Sequence, residues 1–90
     1  MSEKELFYCQ AFHCKHIPCC GQGKYKYHWP ELVGKNGLLA KETILKENPL
    51  VKFVYILKPD YIRGVINFCC NRVRIYVDKD GIVDEIPVAG

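Results

Sequence analysis

Two runs rich in β-branched and aromatic residues, VKFVYILK at 51–58 and NRVRIYVD at 71–78, flank a connection that carries no tight-turn signal. A two-residue turn would force neighbouring strands to run antiparallel, whereas a long connection lets them lie parallel. The interval therefore decides the topology. Asp60 to Asn67 reads as a largely apolar loop, and just beyond it Arg72 and Arg74 stand two residues apart on a strand, which sends both side chains to one face. An exposed loop beside a pair of cations is the first functional lead.

The rest of the chain supplies a small scaffold for that loop. Asn36 is a helix N-cap, Ala40, Ile44 and Leu45 form an apolar stripe, Lys41, Glu42, Lys46 and Glu47 face away, and Pro49 ends the helix. Leu38 and Leu39 widen the apolar surface of its first turn. They read either as ordinary exposed leucines or as the place where the N-terminal segment packs. After the second strand, Asp78–Gly81 makes a turn, and a last strand runs from Ile82 to Val88, with Pro87 suited to an edge. The expected fold is α+β, one α-helix on a small mixed β-sheet with a long exposed loop between two parallel strands. It divides into a cysteine-rich N-terminal arm at 1–28 and a folded domain at 29–90.

At 90 residues the chain buries roughly 60 to 65 % of the surface its unfolded form exposes, so the core is marginal and needs support. The six cysteines, Cys9, Cys14, Cys19, Cys20, Cys69 and Cys70, offer disulfides or a metal site. The order Cys9, His13, Cys14, His16, Cys19, Cys20 invites a zinc reading, but it lacks a Cys-x-x-Cys knuckle and a second ligand pair. The arm reads instead as disulfide-stapled or irregular, and no metal or other cofactor is expected. Nothing nearby would orient a Cys/His catalytic pair, so an enzyme is not expected either. The net charge of +3 is spread out, with four lysines against two glutamates (+2) in residues 1–28. No clustered basic face calls for nucleic acid or an anionic membrane, and no apolar run approaches the roughly 20 residues of a membrane span.

The segments WPELVGK from Trp29, AK..IL followed by NP, NRVRIYVD and the closing PVAG, in this order and at this spacing, resemble the potato inhibitor I family of serine protease inhibitors. The resemblance covers Trp29 to Gly90. It implies a serine protease as partner, a role in plant defence, and a substrate-like exposed loop that pairs main chain to main chain with the enzyme. Counted back from Asn71, Arg72 and Val73, the scissile bond falls between Ile66 and Asn67. Gly64 and Val65 then precede the specificity residue Ile66, and Phe68 follows Asn67. A shift in loop register makes Arg63 the specificity residue and the target trypsin-like. Ile66, β-branched and stiff, suits an elastase-like or subtilisin-like pocket.

The resemblance also gives Arg72 and Arg74 a role, holding the residues that flank the bond. Relatives usually carry threonine and an acid there as acceptors. This chain has Val65 and Asn67, which weakens or removes charge-assisted hydrogen bonds of roughly 1.5 to 3 kcal/mol. In some relatives a half-cystine just before NRV is linked to one shortly before WPEL. Cys70 matches the first, Cys20 or Cys19 the second, while Cys69 points to the other side of the strand. Disulfides would imply a secreted or vacuolar protein. The start MSEKEL has no apolar signal region, which keeps the cytoplasm open. The alternative is the same scaffold with a degenerate loop, serving as a cysteine-rich metal- or protein-binding module.

Overall fold

The computed structural model describes residues 20–61 and 69–90. In chain order it shows a 3-10 turn at Pro30–Leu32, helix α1 at Gly37–Glu47, and strands β1 at Phe53–Leu57, β2 at Arg72–Tyr76 and β3 at Val88–Ala89. The sheet has three strands in the order β1-β2-β3. β1 and β2 are parallel, with Phe53 opposite Arg72 and Leu57 opposite Tyr76, and β3 is antiparallel to β2. The helix packs over β1 and β2. The α+β architecture and the parallel pair stand as the sequence implies.

Capping explains where the helix begins and ends. Asn36 Oδ1 accepts from Leu38 N at 2.8 Å and Leu39 N at 3.4 Å, which satisfies amides that have no partner within the first turn. At the other end Asn48, in extended conformation before Pro49, donates its backbone N–H to Ile44 O. The Asn48 side chain is fully buried and works in two directions. Its Nδ2 donates to Lys26 O at 2.9 Å, and its Oδ1 accepts from Leu50 N at 2.9 Å. One residue thus joins the end of the helix, the segment before it and the approach to β1.

The buried face of the helix is narrower than the sequence suggests. Gly37, Ala40 and Ile44 are buried, whereas Leu45 is 39 % exposed and falls outside the stripe. A small sheet accepts only one row of side chains, and small residues bring the helix close to it. A Cβ on Gly37 would meet Val77 Cγ1 at 3.0 Å and Gly81 O at 3.3 Å, and Gly37 N already donates to Gly81 O at 2.9 Å. Leu38 and Leu39 are exposed, and residues 1–19 of the arm that the other reading packs over them lie outside the described residues.

The last strand also departs from expectation. Ile82 to Val88 is not one strand: Val83 pairs with Val77 and Ile82 with Asn36 in single bridges, and regular pairing resumes only at Val88. Pro87 has no N–H to give, and its carbonyl instead accepts from Trp29 N at 2.9 Å. Nor is this segment a free edge. Ala89 N donates to Tyr27 O, Gly34 N to Val83 O and Val83 N to Lys35 O, so residues 27–36 line its outer side.

The core gathers Cys20, Trp29, Leu32, Ala40, Ile44, Val51, Cys70, Val73, Ile75, Val77, Val83 and Ala89 between helix and sheet. Trp29 is fully buried, and its indole N–H donates to Glu47 Oε1 at 2.9 Å. Glu47 and Glu31 both pair with Lys26, on the segment that leads into Trp29. No helix among the described residues is long and apolar enough to cross a membrane.

Candidate functional site

Parallel pairing puts the end of β1 beside Tyr76 and the start of β2 beside Phe53, so the chain between them must travel back along the full sheet. Residues 62–68 of that connection, and with them Arg63, Gly64, Val65, Ile66, Asn67 and Phe68, lie outside the described residues. Both of its ends are described, and they differ.

At the outgoing end, Lys58, Pro59 and Asp60 are exposed, and one backbone hydrogen bond, Tyr61 N to Lys58 O at 3.0 Å, closes the turn. At the returning end, Cys69, Cys70 and Asn71 are buried. Arg72 N donates to Cys69 O at 3.1 Å, and the Asn71 carbonyl accepts from both Lys52 N and Phe53 N, at 2.8 and 3.0 Å. Cys70 is bonded to Cys20 with a Cα–Cα distance of 4.9 Å, across a sequence separation of 50 residues. Constraining a loop of that length in the unfolded chain is worth about 4 kcal/mol in the chain-entropy account. Cys69 is disulfide-bonded as well, and among the described residues no cysteine is free.

The disulfide resolves one open choice, Cys20 rather than Cys19 as the partner of Cys70. It also removes Cys20 from the zinc reading, because a half-cystine has no thiolate to offer. Among the described residues no group of three or more His, Cys, Asp or Glu could hold a metal ion. Cys9, His13, Cys14, His16 and Cys19 lie outside the described residues.

Arg72 and Arg74 share a face, as their spacing requires. They are half-buried, while Val73 and Ile75 point into the core. Arg72 Nε donates to Gly90 O at 2.8 Å. Burial, and then the charge of Arg74, lower the pKa of Arg72 from its ordinary value. The Nη2 of Arg74 is buried and has no hydrogen-bond partner. Register places Arg74 in a cross-strand row, with Tyr55 on one side and Val88 on the other, and His28 beyond Val88. The Nδ1 of His28, the next polar group in that row, is likewise buried without a partner, and its ring lies 4.7 Å from that of Tyr27.

The partners that the sequence did not reveal, Gly90 beside Arg72 and Val88 and His28 in the row of Arg74, come from the last strand, the residue after it and the segment before Trp29. Their only sequence signal was the closing PVAG, whose pairing with β2 depends on tertiary contacts. Residues 20–28, on the arm's side of the expected boundary, supply Cys20 to the core and Tyr27 and His28 to the sheet.

The described parts of the connection, an exposed outgoing turn and a returning end bonded into the core at Cys70, adjoin the strand that carries Arg72 and Arg74. Comparison with known proteins identifies the kind of protein. The family model of the potato inhibitor I family matches residues 21–90. The protease inhibitor HPI of Hevea brasiliensis is 42 % identical over 65 residues, which are 72 % of this chain and 90 % of that protein. The inhibitor of trypsin and hageman factor of Cucurbita maxima is 43 % identical over 65 residues, 72 % of this chain and 93 % of that one. The crystal structure of the bitter gourd trypsin inhibitor superposes with a TM-score of 0.68 at 40 % identity, covering 74 % of this chain and 96 % of that chain. The chain belongs to the potato inhibitor I family, whose members named here are inhibitors and not enzymes.

Proposed function

We propose that this protein is a reversible, substrate-like inhibitor of serine endopeptidases that acts through the connection between β1 and β2, with Ile66–Asn67 as the scissile bond. The observation that carries this reading is the anchored returning end, where Cys69 to Arg72 are tied to the core and to β1. A loop held in its bound shape loses little entropy on docking, so more of the contact energy appears as affinity. If the enzyme cuts the bond, the tethered amine stays near the acyl-enzyme and religation competes with hydrolysis.

Arg72 and Arg74 support the residues that flank the bond. The unpartnered Nη2 of Arg74 fits the replacement of a threonine-type acceptor by Val65. Ile66 in the specificity position favours an elastase-like or subtilisin-like pocket. With Arg63 there, the target becomes trypsin-like, which is the enzyme named for the squash and bitter gourd relatives. The division into an arm at 1–28 and an inhibitor domain at 29–90, and a secreted or vacuolar location, belong to the same proposal. Disulfides at Cys69 and Cys70 suit an oxidising compartment. They also leave fewer thiolates for a metal-binding module.

A panel of trypsin-, chymotrypsin-, elastase- and subtilisin-type enzymes, with mass spectrometry of the incubated inhibitor, tests the proposal. Nanomolar inhibition of an elastase- or subtilisin-type enzyme with a nick at Ile66–Asn67 is expected. A nick at Arg63–Gly64 with trypsin inhibition would move the specificity residue. Cleavage elsewhere without inhibition would end the reading.

A further inference from the structure

The two edges of the sheet end differently. Along β3 and the segment before it the outer side is lined by residues 27–36, where Ala89 N donates to Tyr27 O and Val83 N to Lys35 O. β1 is the other end strand, and among the described residues nothing pairs with its outer side. Register shows which groups are left open there. Phe53 N donates to Asn71 O and Leu57 O accepts from Val77 N, and backbone groups alternate sides along a strand, so Phe53, Tyr55 and Leu57 bond toward β2. The N–H and C=O groups of Val54 and Ile56 therefore point away from the sheet. Burial agrees, because Val73 and Ile75 are fully buried while their register partners Val54 and Ile56 keep part of their surface in solvent.

An open edge of this kind takes up a further strand from outside. We propose that the outer edge of β1 docks an extended segment of another protein, apolar in its middle and carrying carboxylates six residues apart. Charge selects this occupant. Lys52 and Lys58 are exposed at the two ends of the strand. Among the described residues neither is in an ion pair, and Lys58 acts on Asp78 through its charge alone. At about 3.3 Å per residue the two lysines stand roughly 20 Å apart. An antiparallel segment of seven residues then sets its first and last side chains opposite them. Its third and fifth lie opposite Ile56 and Val54, whose side chains pack against the core, and are therefore apolar. Opposite charges across paired strands stabilise, and like charges destabilise.

The same lysines refuse a second copy of this chain. Two β1 strands paired antiparallel about Tyr55 place Lys52 of each opposite Lys58 of the other, so like charges meet at both ends. A shift of register relieves this only by setting a lysine against Val54 or Ile56 and shortening the ladder. None of these residues belongs to the connection at 62–68, and the test needs no protease.

That test uses the full chain and a capped peptide, Glu-Thr-Val-Thr-Val-Thr-Glu, with amide exchange followed by NMR. In about 1 mM peptide, exchange at Val54 and Ile56 should slow at least about twofold, which is half-occupancy at a dissociation constant of about 1 mM. Tyr55 and Leu57, already bonded to β2, should not change. The peptide Lys-Thr-Val-Thr-Val-Thr-Lys should bind at least about tenfold more weakly. In the double variant Lys52→Glu, Lys58→Glu that preference should reverse. Equal binding of the two peptides by wild type would overturn the proposal, as would slowing spread evenly over Val54, Tyr55, Ile56 and Leu57. Strong protection of Val54 and Ile56 in the free monomer would also overturn it, because a segment of this chain would then hold the edge. Protection that appears only as wild type dimerises would give the edge to a second copy and end the selection assigned to Lys52 and Lys58.

Discussion

The two ends of the connection between β1 and β2 are built differently. The outgoing end, Lys58 to Tyr61, is an exposed turn closed by one backbone hydrogen bond, while the returning end is buried, bonded to β1 and cross-linked at two consecutive cysteines. In a substrate-like inhibitor the two sides do different work after cleavage. The returning side carries the new amine, and religation depends on that amine staying in place. Rigidity is thus concentrated on the side where loss of position would turn an inhibitor into a substrate.

Removing the disulfide is the strongest way to break this asymmetry. Cys20→Ser with Cys70→Ser should cost about 4 kcal/mol of unfolding free energy, within the 2 to 5 kcal/mol usual for small disulfide-bonded domains. Denaturant titration checks it. Hydrolysis of the bound inhibitor should accelerate alongside, because the returning end would then depend on backbone hydrogen bonds and the Cys69 link. A double variant as stable as wild type and hydrolysed no faster would show that the anchor lies elsewhere.

Asn48 offers a subtler route to the same end. It fixes Leu50, which leads into Lys52 and Phe53, the two residues that donate to Asn71 O. Asn48→Ala removes two side-chain hydrogen bonds and strands Leu50 N–H and Lys26 C=O, for an expected loss of about 2 to 3 kcal/mol. By hydrogen exchange the Arg72 amide, which donates to Cys69 O, should speed up markedly. The Tyr61 amide, already in an exposed turn, should change little. Equal acceleration of both would contradict the proposed division between the ends.

Much of this scaffold was legible in the sequence because it rests on local chemistry. Asn36 announced the helix start through its capping side chain, and the length between two β-rich runs announced the parallel pair. What stayed hidden was set by contacts between distant segments. Leu45 has the right helical spacing, but the sheet is too narrow to cover it. The strand at Ile82–Val88 has the right composition, but Trp29 takes the Pro87 carbonyl and residues 27–36 draw the segment away from continuous pairing with β2. Arg72 and Arg74 were placed correctly by their spacing. That Arg72 reaches Gly90, and that Arg74 sits in a row with His28, depends on the placement of β3.

The comparison is sharpened by giving Arg74 what it lacks. Its Nη2 is buried without a partner, and a hydrogen bond to a charged group contributes roughly 1.5 kcal/mol or more. Val65→Thr supplies a hydroxyl acceptor on the outgoing side of the proposed bond. Hydrolysis of the complex should slow by about tenfold with little change in global stability. A hydrolysis rate identical to wild type would place Val65 out of reach of Arg74 and favour the Arg63 register.

The smallest effect is expected at Asp78, beyond the far end of β2, and it serves as the control. Its exposed carboxylate accepts from Ile82 N and Asp80 N, which holds its pKa below the ordinary 3.8. A carboxyl whose folded pKa is depressed contributes stability that is present above its unfolded value and lost as pH falls through the folded one. Wild type should therefore lose stability more steeply than Asp78→Asn as pH drops below 3.8. The two should run in parallel at still lower pH, where both side chains are neutral. Glu31, held low by its hydrogen bond to Lys26, remains in both proteins and cancels in the difference. At neutral pH the hydrolysis rate of the bound inhibitor should be the same for the two, because the Asp78 turn supports the hairpin, lies away from the returning end and meets the outgoing end only through the charge of Lys58. A faster rate in Asp78→Asn would mean that the hairpin transmits strain along β2 to Cys70, and that rigidity at the returning end is a property of the whole strand.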